Sequence, residues 1–247
     1  MGRISLEIVP RSEESFAEEL KQVRGKFPAI DTLNIPDILK FDVRIPEACE
    51  AAAPYFPTGI IPHVRAVAVN SEKPFSYAEF FSKNNINELL VILGDNPEIV
   101  SKSEHPCTSV ELIRKIKKEL PGMKVYAAVD QWRTTFDEEM EYVKEKIDAG
   151  ADGFFTQPFF DIVTMGKWVK ALDGSHVFWG LAPVIRSSSK DYWETKNNVS
   201  FPDNFECTME WNQAFARKVL EYADTEKYHV YLCPITVDFA EYLKGIF

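Results

Sequence analysis

Cysteine and histidine, from which many specialised sites are built, are scarce in this chain. The 247 residues include four cysteines and four histidines, and none of the cysteines forms a Cys-x-x-Cys pair. Paired cysteines of that spacing are typical of structural zinc sites and of redox-active domains. We therefore expect no metal site and no disulfide framework. We interpret the thiols as reduced groups in a cytoplasmic protein; they are Cys49, Cys107, Cys207 and Cys233.

Positive charge and long apolar runs are also in short supply. Lysine and arginine together number 28 against 38 aspartates and glutamates, which gives a net charge of −10. Binding to nucleic acid depends on clustered cations, so this balance argues against a nucleic-acid partner, although a few local cations suffice for a small anionic ligand. No apolar run approaches the roughly 18 residues of a membrane helix, and the first residues show no signal-peptide pattern. We expect no membrane segment and no leader.

What the chain does contain is a regular alternation of short apolar runs with longer amphipathic stretches. Eight such pairs follow one another without a linker or a low-complexity segment. The predicted strands are 4–9, 30–35, 59–69, 88–93, 124–129, 153–156, 177–181 and 228–232. The first predicted helix opens at Ser12, and 187–223 holds one or two helices around Pro202. The other predicted helices are 46–53, 77–83, 109–120, 136–149, 162–172 and 237–243.

Repeated βα units of this kind imply parallel strands joined by right-handed crossovers. Two architectures satisfy the pattern, a closed barrel and an open doubly wound sheet. Eight units in about 250 residues favour the closed form. We therefore predict the α/β class and a single (β/α)8 TIM barrel, with 1–247 as one domain.

In such a barrel the chemistry lies at the carboxyl ends of the strands. The positions concerned are Glu7, Asn34, His63, Asp95, Gln157 and the region of Tyr231. Glu7 stands between two apolar residues of the first strand. Strand alternation lets it point to solvent as a surface residue or into the barrel mouth, and the local pattern does not decide between them. In the mouth, desolvation would raise the pKa of Glu7 and make it a usable general acid at neutral pH.

Two further segments carry polar residues at predicted strand ends. Asp95 follows Gly94 in a Gly-Asp-Asn-Pro sequence, which suits a ligand-facing turn and a plain turn equally well. Gln157 offers both a donor and an acceptor, which suits a ring that bears an amide, such as a pterin. Phe159 and Phe160 follow it and can stack on a ligand, although core packing is the more frequent role of phenylalanine.

Several of these segments together resemble the methylenetetrahydrofolate reductase family. The family's first-strand glutamate followed by proline corresponds to Ser5-Leu6-Glu7-Ile8-Val9-Pro10, and its Gly-Asp turn to Leu93-Gly94-Asp95-Asn96-Pro97. A stretch of Lys-hydrophobic-Asp-Ala-Gly-Ala that leads to Thr-Gln and Phe-Phe-Asp is almost intact between Lys146 and Asp161. A later Gly-hydrophobic-x-Pro corresponds to Gly180-Leu181-Ala182-Pro183. The resemblance spans nearly the whole chain in order, and the 146–161 match is its most specific part.

This resemblance implies an oxidoreductase that reduces 5,10-methylenetetrahydrofolate to 5-methyltetrahydrofolate by hydride transfer, with FAD as cofactor and NAD(P)H as electron donor. It implies that Glu7 is the general acid and that Asp95 acts in catalysis beside the flavin and the pterin. The residues that it places around the folate substrate are Gln157, Asp95, Phe160 and Tyr231. The residues that it places around the flavin cofactor are Asn34, His63, Gly94, Ala128 and Lys146.

The chain departs from the family pattern where the flavin is held. Leu93 replaces an arginine before the Gly-Asp turn, and 127–133 has the sequence Ala-Ala-Val-Asp-Gln-Trp-Arg where the family has Tyr-Pro-Glu-x-His. A family arginine that helps hold the substrate falls close to Ile235. We therefore expect one of two outcomes. Either Arg133 or Trp132 supplies new flavin contacts, or hydride passes to the folate directly from a nicotinamide or another carrier.

Two other functions fit the same residues. A folate-binding barrel can serve methyl transfer or demethylation, and a folate-binding subunit can depend on a partner that carries the redox cofactor. The resemblance also allows a homo-oligomer. Near the seventh strand, Arg186 and Lys190 suit either the folate glutamate tail or a solvated loop. Trp179 and Trp193 suit either ligand stacking or core packing, and the polar stretch 191–204 suits a lid.

Overall fold

The computed structural model describes residues 2–94 and 104–247. Eight parallel strands pair in chain order and the first pairs with the last, so the sheet closes into a barrel. The strands are β1 (Ile4–Glu7), β2 (Thr32–Ile35), β3 (Ile60–Arg65), β4 (Glu88–Ile92), β5 (Lys124–Val129), β6 (Gly153–Pro158), β7 (Val177–Leu181) and β8 (His229–Leu232). The predicted (β/α)8 barrel is confirmed, and the open doubly wound sheet is excluded.

Nine α-helices accompany the strands in the described part of the chain. They are α1 (Glu13–Lys26), α2 (Ile45–Ala52), α3 (Ala78–Lys83), α4 (Ser109–Glu119), α5 (Phe136–Asp148), α6 (Ile162–Ala171), α7 (Ser187–Lys196), α8 (Met209–Glu226) and α9 (Phe239–Lys244). The region 187–223 therefore holds two helices, one on either side of Pro202. Strand β3 is shorter than predicted, since a 3-10 turn over Ala66–Ala68 follows it. None of the helices in 2–94 and 104–247 is long and apolar enough to cross a membrane.

Local sequence explains where several helices begin and end. Helices α4 and α5 each start with a capping box, in which Thr108 pairs with Glu111 and Thr135 with Glu138. The threonine oxygen accepts from the glutamate N–H and the glutamate carboxylate accepts from the threonine N–H, so two otherwise unpaired donors are satisfied. After α5, Gly150 adopts a φ of 102°, a conformation that residues with a Cβ rarely adopt.

Strand alternation sorts the barrel side chains into two sets. Those that point outward, such as Leu6, Val64 and Trp179, are buried in the large core between sheet and helices. The side chains that point inward include an apolar cluster of Ile61, Leu90, Tyr126, Phe155, Phe178, Tyr231 and Cys233. Phe155 and Phe178 stack with their ring centroids 4.2 Å apart. These inward rings form an aromatic floor beneath the carboxyl ends of the strands.

Polar contacts fill the amino end of the barrel below this floor. Arg3 forms an ion pair with Glu88 at 2.7 Å, and its Nε donates to the Thr32 hydroxyl at 2.9 Å. The rings of His176 and His229 stack there with centroids 4.1 Å apart. The paired charges are compatible with burial, because each has a partner of opposite sign or a hydrogen-bond acceptor.

Candidate functional site

A cavity of about 620 Å³ lies above the aromatic floor, at the carboxyl ends of the strands. This volume falls within the range of small-molecule sites, about 300–1,000 Å³. Much of its wall is apolar, from Leu90, Ile92, Phe155, Pro158, Ala182 and Pro183. Five of the predicted catalytic, substrate-binding and cofactor-binding residues meet in its lining: Glu7, His63, Ala128, Gln157 and Tyr231.

Glu7 is the one carboxylate that lines this cavity within the described residues. It ends β1, points into the barrel mouth and keeps only 7% of its surface exposed, so the surface-facing alternative does not apply. Burial disfavours the ionised form and raises the pKa of Glu7 from 4.5 to about 7, while a hydrogen bond from Tyr231 lowers it in part. Near neutral pH both protonation states are therefore populated, as a general acid requires.

The hydroxyl of Tyr231 donates a hydrogen bond to Oε2 of Glu7. Burial holds the pKa of Tyr231 well above its ordinary 10, so the phenol stays a donor at neutral pH. Its ring meets Phe155 edge-on, with centroids 5.1 Å apart, which holds the hydroxyl in position from the floor. Among the described residues no hydrogen bond engages Oε1 of Glu7, so this oxygen is available to a ligand.

A hydrogen-bonded chain runs across β1, β2 and β3 beside Glu7. Asn34 donates from Nδ2 to the Ser5 hydroxyl, and its Oδ1 lies 3.0 Å from Nε2 of His63. Because an amide oxygen only accepts, Nε2 of His63 carries the proton in this arrangement. Burial lowers the pKa of His63 to about 3, so the ring is neutral although Nε2 lies 3.9 Å from Oε2 of Glu7. Glu7 is therefore not paired with a cation within the described chain.

Gln157 reaches the cavity from β6, two residues beyond Phe155 of the floor. Its side chain lines the cavity, and in the parts of the chain that are described no protein group bonds to its amide. Its backbone oxygen accepts a hydrogen bond from Nε2 of Gln131 at 2.6 Å. The side-chain donor and acceptor of Gln157 are therefore free to meet a ligand that has both kinds of group.

Lys146, which the family resemblance assigns to the flavin, packs outside the barrel wall. Its Nζ donates to the backbone oxygen of Ala128 at 2.6 Å and lies 3.7 Å from Oε1 of Glu139. The ammonium group also lies 3.9 Å from the ring centroid of Tyr142. Burial lowers the pKa of Lys146 to about 8. These contacts are all with the protein itself, and Lys146 does not line the cavity.

Phe160, which the resemblance assigns to the substrate, packs behind the cavity. It forms a small hydrophobic cluster with Val184 and Val199, and its ring centroid lies 4.5 Å from that of Phe201. The ring borders a second cleft of about 540 Å³, between the start of α6 and the segment that leads into α8. Among the described residues, this cleft and the cavity that holds Glu7 share no lining residue.

Gly94 is the last described residue before residue 104. Its φ is 95°, and an added Cβ would lie 2.8 Å from Cγ2 of Val67, so both the conformation and the space require glycine. Leu93 beside it is exposed. Asp95, predicted to act beside the flavin and the pterin, lies outside the described residues, and its role stays a prediction.

One wall of the cavity was largely missed by sequence reasoning, which named only Trp193 of its residues as a candidate for ligand stacking. The wall consists of Ser188, Ser189, Tyr192 and Trp193 from α7, with Cys233 and Thr236 after β8. Helix α7 has no fully buried residue, so hydrophobic periodicity gave no signal for its position. The predicted lid over 191–204 overlaps the end of this helix. Arg186 and Lys190 are absent from the described lining, and Lys190 forms an ion pair with Glu194 at 2.7 Å.

The cavity carries little positive charge. Within residues 2–94 and 104–247 no lysine or arginine lines it, and no cluster of three His, Cys, Asp or Glu side chains is placed to hold a metal ion. The two residues proposed to replace flavin contacts are engaged elsewhere. Trp132 donates from Nε1 to the Pro158 oxygen at 3.0 Å, and Arg133 forms an ion pair with Glu139 at 2.5 Å. The site therefore suits a ligand whose buried part is an uncharged ring.

Comparisons with known proteins point to one family. The family model described as methylenetetrahydrofolate reductase matches residues 49–214, more than half of the chain. The 5,10-methylenetetrahydrofolate reductase of Buchnera aphidicola subsp. Schizaphis graminum (strain Sg) is 23% identical over 154 residues. That of Pectobacterium carotovorum subsp. carotovorum is 24% identical over 153 residues. These matches cover 59% and 60% of this chain, but 52% and 51% of the relatives, so the chain spans about half the length of both.

Solved structures share the barrel. An uncharacterized protein from Clostridium thermocellum, which binds two copies of 5-methyl-5,6,7,8-tetrahydrofolic acid, superposes with a TM-score of 0.65 at 11% identity. The alignment covers 99% of this chain and 93% of that one. A 2,3-dimethylmalate lyase superposes with a TM-score of 0.59 at 12% identity, over 94% of this chain and 73% of the other. At these identities the likeness establishes the fold alone.

Proposed function

The chain belongs to the methylenetetrahydrofolate reductase family, and we propose that it reduces 5,10-methylenetetrahydrofolate to 5-methyltetrahydrofolate with Glu7 as general acid. The observation that carries this proposal is a buried carboxyl group, unpaired with any described cation, whose pKa of about 7 matches the demands of acid catalysis. The tetrahydrofolate-binding neighbour of the same architecture supports a folate ligand, because a barrel of this kind accommodates one.

The chemistry assigned to Glu7 is one proton transfer. Protonation of the folate N10 breaks its bond to the methylene carbon and leaves an iminium at N5. A hydride delivered to that carbon then completes the methyl group, and Glu7 regains its proton from solvent. Tyr231 holds Oε2 of Glu7 throughout, which leaves Oε1 to carry the transferred proton. Gln157 offers its free amide to the donor and acceptor edge of the pterin.

FAD is the cofactor that the family resemblance implies, and the described residues do not fit it. A resident FAD stays bound through turnover and needs fixed contacts for its diphosphate, usually cations or a helix N-terminus, whereas a nicotinamide that enters and leaves as a substrate can keep its diphosphate in solvent. No described lysine or arginine lines the cavity, and the one helix N-terminus in its described lining is that of α7. Of the five expected flavin contacts, His63 and Ala128 line the cavity, but Asn34 and Lys146 are engaged by other protein groups. We therefore propose that the hydride comes directly from a reduced nicotinamide, which leaves as the oxidised form.

The poor fit of FAD to the cavity also favours a second candidate function, that of a folate-binding subunit whose redox partner delivers the hydride. The two differ in what the purified chain does by itself. Oxidation of NADH or NADPH coupled to 5-methyltetrahydrofolate formation by the chain alone supports the reductase. Folate binding without turnover, restored by an added redox protein, supports the subunit.

Glu7→Gln tests the central role. General acid catalysis contributes about 10²–10⁴ in rate, so turnover should fall by that factor while binding of 5-methyltetrahydrofolate, measured by calorimetry, is retained. Glu14→Gln, on the exposed face of α1, is the matched control and should leave turnover unchanged. Near-normal turnover of Glu7→Gln would remove Glu7 from the mechanism.

A further inference from the structure

The segment that follows β5 directs its side chains toward the backbone at the end of β6. Gln131 is 92% buried, with 8% of its surface exposed. Its Nε2 donates to the backbone oxygen of Gln157 at 2.6 Å and to that of Pro158 at 3.2 Å. Trp132 donates from Nε1 to the same Pro158 oxygen at 3.0 Å. Two consecutive side chains of one loop are therefore bonded to the backbone that carries Gln157 into the cavity.

The orientation of the Gln131 amide follows from these contacts. Two carbonyl oxygens converge on one end of the group, so that end must be the NH₂, because the opposite orientation would place three acceptor oxygens together. The other end, Oε1, is buried and has no hydrogen-bond partner among the described residues. A buried acceptor without a partner costs about 1–3 kcal/mol. Stability by itself therefore does not account for a glutamine at this position.

Gln157 needs such support because the sheet does not fix its backbone. The β5–β6 pairing reaches Thr156, which is paired with Val129, and does not include Gln157. On the other side, the β6–β7 register is irregular between Phe155 and Pro158. Gln157 thus stands where neither neighbouring strand holds it in a regular ladder. The hydrogen bond from Gln131 restrains the carbonyl oxygen of Gln157 where this regular pairing is absent.

We propose that Gln131 is a positioning residue that fixes the backbone of Gln157 and so aims its side-chain amide at the ligand. The ligand class is a heterocycle with a donor and an acceptor side by side, as in the amide edge of a pterin. This inference rests on the proposed function through the role of Gln157 in folate binding. It also assigns a role in substrate binding to the segment after β5, which departs from the family pattern.

A double-mutant cycle on ligand affinity tests this coupling. The variants are Gln131→Met, Gln157→Met and the double variant, with the Kd for 5-methyltetrahydrofolate measured by calorimetry, which needs no turnover. Each single variant should weaken binding about tenfold, the size of one hydrogen bond. The double variant should bind no more weakly than Gln157→Met, because Gln131 acts through Gln157. With substrate, KM should rise and the pH dependence of kcat should stay unchanged.

Gln213→Met is the matched control. Gln213 also donates from Nε2 to two backbone oxygens, of Glu241 at 2.9 Å and of Tyr242 at 3.3 Å, but it does not line the cavity. Gln213→Met should therefore leave the Kd for 5-methyltetrahydrofolate unchanged. If Gln131→Met does not fold, Gln131→Glu keeps the size of the side chain and replaces the NH₂ donor by an acceptor, so it should weaken binding at least as much.

The outcomes separate this inference from the proposed function. Additive effects in the cycle, or an unchanged Kd in Gln131→Met and Gln131→Glu, overturn the positioning role of Gln131 while folate binding stands. A wild-type chain that does not bind 5-methyltetrahydrofolate overturns the proposed function itself. Binding that is intact in Gln157→Met removes Gln157 from the site, and the inference about Gln131 falls with it.

Discussion

Tyr231 donates a hydrogen bond to Glu7 across the seam where the last strand of the barrel meets the first. The two residues are 224 positions apart in the chain. They meet because β1 and β8 pair in parallel, with Ser5 opposite Tyr231 in the register. The bond stabilises the ionised carboxylate, whereas burial favours the neutral acid, and burial is the stronger influence on the pKa of Glu7.

Tyr231→Phe should move the pH dependence of catalysis. Glu7 must be protonated to act as an acid, so kcat/KM should fall as pH rises through about 7 in the wild type. Loss of a hydrogen bond that lowers the pKa of Glu7 should shift this falling limb about one to two units toward higher pH. The measurement is kcat/KM across pH 5–9. Tyr126→Phe is the control, because Tyr126 lies in the floor and outside the described cavity lining. If the falling limb of kcat/KM in Tyr231→Phe stays in place or moves to lower pH, the hydrogen bond from Tyr231 does not lower the pKa of Glu7.

Glu7→Gln should stabilise the fold at alkaline pH. The pKa of Glu7 is about 7 in the folded chain and 4.5 ordinarily. Between these values the unfolded chain has lost a proton that the folded chain keeps, so wild-type stability falls as pH rises and the full cost is present above pH 7. The variant escapes this cost and should gain up to about 3 kcal/mol in the free energy of unfolding at pH 8.

Denaturant unfolding at pH 4.5 and pH 8 measures this difference. The gain should be largest at pH 8 and small at pH 4.5, where the folded wild type is protonated and Glu7 of the unfolded chain is only half ionised. Glu14→Gln, on the exposed face of α1, reports any general effect of removing one negative charge. An equal gain at both pH values would show that burial of the Glu7 charge is not its source.

Asn212→Leu should destabilise the chain by about 2 to 6 kcal/mol. Asn212, in α8, is buried and bonds to both backbone groups of Val184, each at 3.0 Å. Leucine would leave the N–H and the oxygen of Val184 buried without partners, and each such group costs about 1–3 kcal/mol. Gln213→Met on the same helix, where the glutamine is only partly buried, should cost about 1 kcal/mol. Similar losses in both variants would contradict the role of Asn212.

The purified chain should take up no FAD. Its absorption spectrum should lack the bands of oxidised flavin, and titration with FAD should show no saturable binding, while 5-methyltetrahydrofolate binds in parallel. The reason is that a resident FAD needs fixed contacts for its diphosphate, and no described lysine or arginine lines the cavity. Flavin that copurifies with the chain or binds saturably would overturn the proposal of direct hydride transfer from a nicotinamide.

The strand assignments from sequence agree with the structure because parallel barrel strands are buried and therefore apolar. The bounds of β5 and β7 were predicted correctly, whereas β3 was predicted four residues too far at its carboxyl end because the apolar run continues through the 3-10 turn. For the site, Glu7, His63, Ala128, Gln157 and Tyr231 meet in one cavity as strand-end residues should. Lys146 and Phe160 lie outside that cavity. A helix was predicted where α7 lies, but most of its contribution to the cavity wall was missed because its contact with the ligand space leaves no periodic signal.

The sequence by itself determined the alternation of strands and helices, because burial and capping act through residues close together in the chain, and the number of units favoured a barrel over an open sheet. It also determined the residue types at the strand ends. The tertiary structure alone decided which way Glu7 points, which hydroxyl holds it, and that Gln131 supports Gln157. Those relationships depend on closure of β1 against β8 and on an irregular register between β6 and β7. A pKa near 7 follows from that closure, since only the assembled barrel removes water from the carboxyl group.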